Sequence, residues 1–555
     1  MVYFQDLPRE IRDMIYVRYV SVNGGYVLDF DSNTLKGADG ESIDLAFMLT
    51  CKSVAREMRG VALSSNTITF STFHSKEHET TAGRYDLMVD TLMYLRNTLL
   101  DRICPATLRI PDDIYEELSK SYPALVPYLD LLRTRAPLYP GEDDGDDEDT
   151  YDERPLLGPP GSCGETPSVF RSFVHSVLQA IATHRHRFDI NQFAKFEKAT
   201  HSTNYVSVES LVNLKPELWS IPTREGVEEM ISSMGNDPVR YINNEWSDPF
   251  LGSISMTKHR YSAAAVAIRF LESLSKDSRS NIKNIVLDED RAAVAFAECH
   301  AMGLVPYCQE NPRLRVERRV NMWRTVFQTK TVNDLSESMN PQEGTTFHLD
   351  DMSCCMGVWI LEALELEPAG MPPGSFTLTF DGDRVCSIMF ENVVQRDAAW
   401  QEAIDLCFER NIFPPVPWLK RRRDSRNFMD MDEEDGVYCY NKWYVFEGFP
   451  QAIRDIANGN SIVKCNFAVE KPWDVEKGLE QNKGWTFGQW KSHWLDSEKI
   501  LRVGEAAYQP DPPSPSWLQM LCENSWDTRL PQTVLYGPYD PSLRGYYTRE
   551  YISFT

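Results

Sequence analysis

The chain has 555 residues, 42% of them hydrophobic and 25% charged, a composition typical of folded domains and a length that suits about two to four of them. Its formal net charge of −25 and isoelectric point near 4.9 repel phosphate backbones, which excludes a general nucleic-acid binder. No apolar run is long enough to span a membrane, MVYFQDLPREIR lacks the features of a secretory signal or transit peptide, and the cysteines form no C-x-x-C pair. The expectation is therefore a cytoplasmic or nuclear protein with reduced thiols.

In chain order, LPREIRDMIY is read first. Pro8 suits a first helical turn, where its missing N–H would have no partner, and Glu10 falls near the third helical position, beside exposed backbone donors. Leu7, Ile11, Met14, Ile15 and Tyr19 form an apolar stripe at helical spacing. Val22 to Tyr26 reads as a tight turn into a strand. A second helix is expected from about Asp44 to Ala62, carrying Leu45, Met48, Leu49, Val54, Ala55, Met58 and Val61, and NTITFSTF then alternates as a strand does.

Each helix carries a Glu-x-Arg triplet: Glu10 with Arg12, and Glu57 with Arg59. Residues two apart on a helix point to nearly opposite sides, so neither triplet pairs internally. Any matched ions are matched between the helices, Glu10 or Arg12 against Arg59 or Glu57; otherwise all four are solvated.

The start Leu7-Pro8-x-Glu10-Ile11-Arg12-x-x-Ile15-Tyr16, with Leu49-Thr50-Cys51-Lys52 and Glu57-x-Arg59, resembles the fungal "two E-x-R" domain, a family close to the F-box. The match covers roughly residues 3–73. The resemblance implies a small helical module that docks on the Skp-type adaptor of a cullin–RING ubiquitin ligase, leaving the rest of the chain to choose a substrate. By that analogy the partner-facing residues are Leu7, Pro8, Ile11, Ile15, Leu49, Cys51 and Val54. An F-box is continuous, whereas here VNGGYVLDFDSNTLKGADGESID separates the two helices, so the inserted segment covers or shifts the docking face. The stretch RFLESLSKDSRSNIKNIVLDED and its continuation to NMW resembles segments of uncharacterised fungal proteins with similar N-termini, which implies a fungal origin and no chemistry.

Beyond residue 75, Leu87, Met88, Leu92, Leu95, Leu99, Leu100 and Ile103 recur at helical spacing, and DDIYEELSKSY with ALVPYLDLLRTR forms a second helical stretch broken by prolines. From Gly141 to Glu153 nine of thirteen residues are acidic, and prolines and glycines follow to Pro167. Such a segment buries too little apolar surface to offset chain entropy and reads as a disordered linker. All thirteen tryptophans lie after it, so the two sides read as separately built units. SVFRSFVHSVLQAIATH and YSAAAVAIRFLESLS are helices, and NIVL is a strand. GSFTLTFDGDRVCSIMFENVV reads as a hairpin turning at Asp381-Gly382, followed by a helix with Trp400, Ala403, Ile404 and Cys407 inward. The expected fold is mixed α+β: an F-box-like head over 1–75 with a short strand pair, a helical extension over 76–140, the acidic linker over 141–167 and a large mixed α/β, Trp-rich body over 168–555.

Signals for catalysis are sparse. Asp288 and Asp290, just past NIVL, are weak candidates for a divalent cation, with a solvated strand end as the plainer reading. Cys299, His300 and Cys308 have no standard zinc spacing. His184 and His186 end a helix and diverge. No G-x-S-x-G or G-x-G-x-x-G occurs, and no motif implies a cofactor. Lys420 to Arg423, near the acidic Asp432 to Asp435, is either an import signal or a self-neutralising loop. The aromatic stretch Lys471 to Trp494 either lines a groove or packs a core. The preferred expectation is a protein-interaction protein, an F-box-like substrate-recognition subunit of a ubiquitin ligase. The alternatives are a scaffold with no ligase role and an enzyme whose pocket lies in the body.

Overall fold

The computed structural model describes residues 4–107, 110–134, 164–184, 208–247, 257–328, 352–414, 429–431, 438–440, 444–504 and 508–524. Most of the acidic linker, the cluster Lys420 to Arg423, the run Asp432 to Asp435, and Arg185 with His186 lie outside the described residues.

Short β-branched and aromatic runs with a period of two build one seven-stranded sheet. Its strands are β1 (Tyr26–Asp29), β2 (Thr34–Gly37), β3 (Thr67–Ser71), β4 (Asn284–Glu289), β5 (Arg315–Asn321), β6 (Phe376–Asp381) and β9 (Val463–Cys465). They are ordered β2-β1-β3-β4-β5-β6-β9. Only β2 is antiparallel to its neighbour; β1, β3, β4, β5, β6 and β9 run parallel. A separate antiparallel pair is formed by β7 (Met429–Met431) and β8 (Tyr438–Tyr440).

The parallel register stacks side chains in rows across the sheet. Ile68, Ile285, Val316 and Phe376 make one row; Phe70, Leu287, Arg318 and Leu378 make the next. This face carries the main core, covered by the helices Ala263–Ser273 and Met352–Leu364. On the opposite face Ser71, Asp288, Arg319 and Thr379 lie in register, all half-buried or exposed. Among the parallel strands the order never reverses, and right-handed parallel crossovers in one direction put their helices on one side. The polar row is what such an arrangement leaves facing water.

Two charges sit inside the apolar face. Arg318 donates to Glu289 Oε1 from Nε (3.0 Å) and Nη2 (2.7 Å), and to the carbonyls of Ala297 (2.6 Å) and Glu298 (2.9 Å). Glu289 in turn accepts from the backbone N–H groups of Ala263 (2.8 Å) and Ala264 (3.3 Å), at the start of the helix that Ser262 caps.

The strand pair expected in the first 75 residues is present as β1 and β2, but it is not a separate unit. β3 lies between β1 and β4, so the head shares the body's sheet. The inserted segment 22–44 forms β1 and β2 at the sheet edge. Its entry needs Gly25, whose φ is +74° and where a Cβ would stand 2.3 Å from the Thr67 carbonyl oxygen.

Two expected elements are corrected. The helix expected over 44–62 is instead a turn at 46–49, then α2 (Lys52–Glu57) and α3 (Val61–Ser65). Gly60, with φ at +77° and no room for a Cβ against Asn281, separates α2 from α3. The hairpin expected over 375–394 is a strand followed by a helix. Asp383 caps the helix Arg384–Met389 by accepting from Cys386 N (3.0 Å). Cys386, Met389, Phe390, Val393 and Val394 are buried at helical spacing while Ile388 is exposed, so the alternation of Cys386, Ile388 and Phe390 was a coincidence of periods. The long helix with Leu87 to Leu100 (Glu79–Thr107), the helix Pro167–Thr183 and the inward Ala403, Ile404 and Cys407 match the sequence reading.

Replacing Glu289 with Ala strands the Arg318 guanidinium among apolar side chains, and the expected cost is about 3–5 kcal/mol by urea unfolding. A Glu289→Leu, Arg318→Met double variant recovers only part of it, because the N–H groups of Ala263 and Ala264 still lose their acceptor.

Candidate functional site

The N-terminal helix α1 (Arg9–Val20) turns two unlike faces outward and inward. Tyr16 and Val20 pack with Val54 and Met58 into a small core that includes Phe4 and Phe47. Phe47 sits 5.3 Å, 5.7 Å and 5.2 Å from the rings of Phe4, Tyr16 and Tyr19, which docks the loop 45–49 alongside α1. Ile11, Met14 and Ile15, spaced for one helix face, remain exposed at 42%, 67% and 37%, and Leu49 on the docked loop at 80%.

One half of the doubled triplet sets this orientation. Arg12 grips Glu57 with two hydrogen bonds, Nε to Oε2 (3.0 Å) and Nη2 to Oε1 (2.9 Å), and Tyr16 donates to the same carboxylate (2.8 Å). The remaining Arg12 donor reaches the Leu7 carbonyl (2.6 Å), so the guanidinium also fixes the entry into α1. Hydrogen bonds from Arg12 and then Tyr16 hold the Glu57 carboxyl down at about 2. Glu10 and Arg59, the other half, are exposed.

Of the seven expected partner-facing residues, Pro8, Ile11, Ile15, Leu49 and Cys51 are exposed and Leu7 is half-buried. Val54 is corrected: at 3% exposure it belongs to the head's own core, because α2 is short and turns that side toward Tyr16. The inserted segment leaves the face uncovered, since its strands join the sheet.

A second site lies at the carboxyl ends of β3 and β4, a recess of about 430 Å3. Thr72 and His74 follow β3, Asp290 and Arg291 follow β4, and Lys258 with Arg260 lead into the helix Ala263–Ser273. Glu523 closes it from the helix Trp517–Glu523, pairing with Arg291 (3.0 Å) and Arg324 (3.0 Å). Thr72 donates to Asp290. Arg260 is 8% exposed, and its Nη1 donates to the Lys258 carbonyl (3.0 Å) and to Asn524 Oδ1 (2.8 Å), both neutral acceptors. Burial and Arg291 bring the Arg260 guanidinium down to about 10, and burial followed by Arg260 lowers Lys258. Sequence reading missed this site because its parts come from four distant segments; the only local sign was the basic pair flanking His259.

Asp288 and Asp290 do not converge. Asp288 stands in the polar row of the sheet, its carboxyl raised by burial and by Asp290 and Asp381, while Asp290 lines the recess. Among the described residues no group of His, Cys, Asp and Glu side chains is placed to hold a metal ion. His300 is buried between Ser262 Oγ (2.7 Å) and the Ala295 carbonyl (2.8 Å), and burial pushes it down to about 3. Cys308 is pushed up to about 11 by burial. Of the aromatic stretch, Trp490 and Trp494 pack a core with Trp400 and Trp485, and only Trp473 is notably exposed.

A third cluster is internal. Asp86 and Asp90 of α4 (Glu79–Thr107), Glu298 and Glu362 gather around Arg171, which lies 4.3 Å over the Phe296 ring and 3.8 Å from Glu362. Glu362 accepts from Ser168 N (2.8 Å) and Oγ (2.6 Å). Burial lifts Glu362 to about 7, burial with repulsion from Glu298 raises Asp86, and burial with repulsion from Asp86 and Glu298 raises Asp90.

No protein-family model matches the chain, and comparison with curated proteins and with solved structures finds no match.

Two pH responses of opposite sign are expected. Glu57 is lower in the fold than its ordinary 4.5, so its contribution is complete above 4.5 and disappears as the pH falls through about 2; the stability gap between wild type and Glu57→Gln closes over that interval in an acid titration. Glu362 is higher in the fold, so its contribution is complete below 4.5 and is lost as the pH rises through about 7. Urea unfolding across that range shows wild type falling more steeply than Glu362→Gln.

Proposed function

We propose that this chain is a protein-interaction protein whose N-terminal helix offers its outer face to a partner, and that the partner is a Skp-type adaptor of a ubiquitin ligase. The observation that carries this reading is the exposure of Ile11, Met14 and Ile15 on one face of α1. Apolar side chains grouped in this way mark interaction surfaces more often than isolated ones do. The Arg12–Glu57 clamp supports it, because a fixed helix presents its side chains without an ordering cost at binding. The choice of adaptor and a fungal origin rest on the resemblance to the two-E-x-R family. Among the described residues no helix is long and apolar enough to cross a membrane.

The test is a binding measurement between the full chain and a purified Skp-type adaptor, with an Ile11→Asp, Ile15→Asp variant beside wild type. Both positions face solvent, so the variant folds, and binding falls by at least about a hundredfold, as two buried contacts of a hot spot would require. Equal recovery of the adaptor by both chains, or by neither, ends the ligase reading. A chain that binds no adaptor but self-associates in wild type alone favours a scaffold.

A further inference from the structure

We propose that the recess at the carboxyl ends of β3 and β4 binds a small phosphate monoester, with Lys258, Arg260 and Arg291 as its cationic wall and Glu523 as the chain's own competing anion. This inference is independent of the apolar face on α1.

The charge arrangement argues for an anion. Three cations line a single recess against two carboxylates, Asp290 and Glu523, both paired with Arg291, in a chain whose net charge is −25. Arg260 is nearly removed from water, yet among the described residues no carboxylate bonds to it; its guanidinium meets backbone carbonyls and an amide oxygen. A buried cation whose hydrogen bonds all go to neutral acceptors is costly, with the carboxylates of Asp290, Glu523 and Glu79 acting on it only from a distance, and a doubly charged oxyanion in contact offsets that cost. Arginine forks suit the tetrahedral oxygens of phosphate, and Lys258 adds a point charge. Thr72, bonded to Asp290, and His74 add further polar groups to the lining.

Glu523 shows where such a group would sit. Its carboxylate bridges Arg291 and Arg324 from the last described helix, while Lys258 Nζ donates to the Glu523 carbonyl (3.0 Å). An incoming phosphate takes over Arg291 from Glu523. The size of the recess, about 430 Å3, suits one small molecule, and the negative field of the whole chain disfavours a polyanion such as nucleic acid.

The experiment is calorimetric titration of the full chain at constant ionic strength with inorganic phosphate and, separately, with glycerol 3-phosphate. Expected are one-to-one binding of the monoester at least as tight as that of the free ion, about tenfold weaker binding in Lys258→Ala and in Arg291→Ala, and tighter binding in Glu523→Gln. Near-UV circular dichroism identifies any variant that has lost its fold, in which case Glu523→Gln alone decides, since it keeps the shape and removes only the competing charge. Absence of binding in both wild type and Glu523→Gln overturns the proposal. So does unchanged affinity in folded Lys258→Ala and Arg291→Ala, and binding of the free ion with exclusion of the monoester overturns the ligand assignment.

Discussion

The contact between Arg318 and Glu289 ties together more of this molecule than any single apolar contact does. It joins neighbouring strands β5 and β4 on the core face, and Glu289 holds the start of the helix Ala263–Ser273 while Arg318 holds the carbonyls of Ala297 and Glu298. The guanidinium also lies 4.8 Å from the Trp359 ring, so the covering helix Met352–Leu364 rests on the same charge. Apolar rows on both sides would tolerate a slip of one element against another. A fully bonded ion pair does not, since any shift leaves a buried charge without its partner. That constraint places Asp290 and Arg291 just past β4, and Lys258 and Arg260 just ahead of the helix at Ala263, and these residues line the recess.

A sheet covered on one face explains where the binding surfaces are and where they are not. The monotonic order of the parallel strands gives no point at which neighbouring crossovers diverge, so the usual crevice of open α/β sheets has no place to form. The recess is built differently, from loops after β3 and β4 closed by the helix Trp517–Glu523, which is anchored through Trp517 near Trp323. The N-terminal head is held by the same sheet. Asn66 bonds the Val20 and Ala62 carbonyls and accepts from Val22 N, fixing the end of α1 to the strand region, so a load on α1 is passed directly to β1 and β3.

Much of this was legible in the sequence wherever one local rule acted alone. The apolar pattern placed Pro167–Thr183 and Ala263–Ser273, and the geometry of a helix limited any pairing of the triplets to one between helices. The rule could not choose Arg12 with Glu57 over Glu10 with Arg59, because that choice depends on which side Tyr16 buries. Two local rules in competition produced the errors. A turn dipeptide at Asp381-Gly382 outweighed the capping role of Asp383, and a continuous apolar pattern from Leu45 to Val61 hid the left-handed Gly60. The recess was illegible in principle: residues 72, 258, 291 and 523 share no periodicity, and only the folded sheet brings them together.

Three of the four arginines buried among the described residues separate architecture from binding. Arg318 is answered by a carboxylate and two carbonyls, and nothing about it is unfinished. Arg96, brought down to about 10 by burial, meets only carbonyls, of Leu211 and Leu214, but these close the helix Val208–Asn213, whose negative pole favours a cation. Arg260 hydrogen-bonds no carboxylate among the described residues; it donates to the Glu523 carbonyl at the end of the helix Trp517–Glu523 and to Asn524, and it stands beside two further cations on the wall of a cavity that also holds Asp290 and Glu523. Unlike Arg96, it does this beside a cavity, where an uncharged amide donor could make the same bonds to neutral acceptors without the desolvation cost of a cation. The cation is accounted for when the cavity is occupied by an anion, and Glu523, already bonded to two other arginines, is the chain's partial substitute for it.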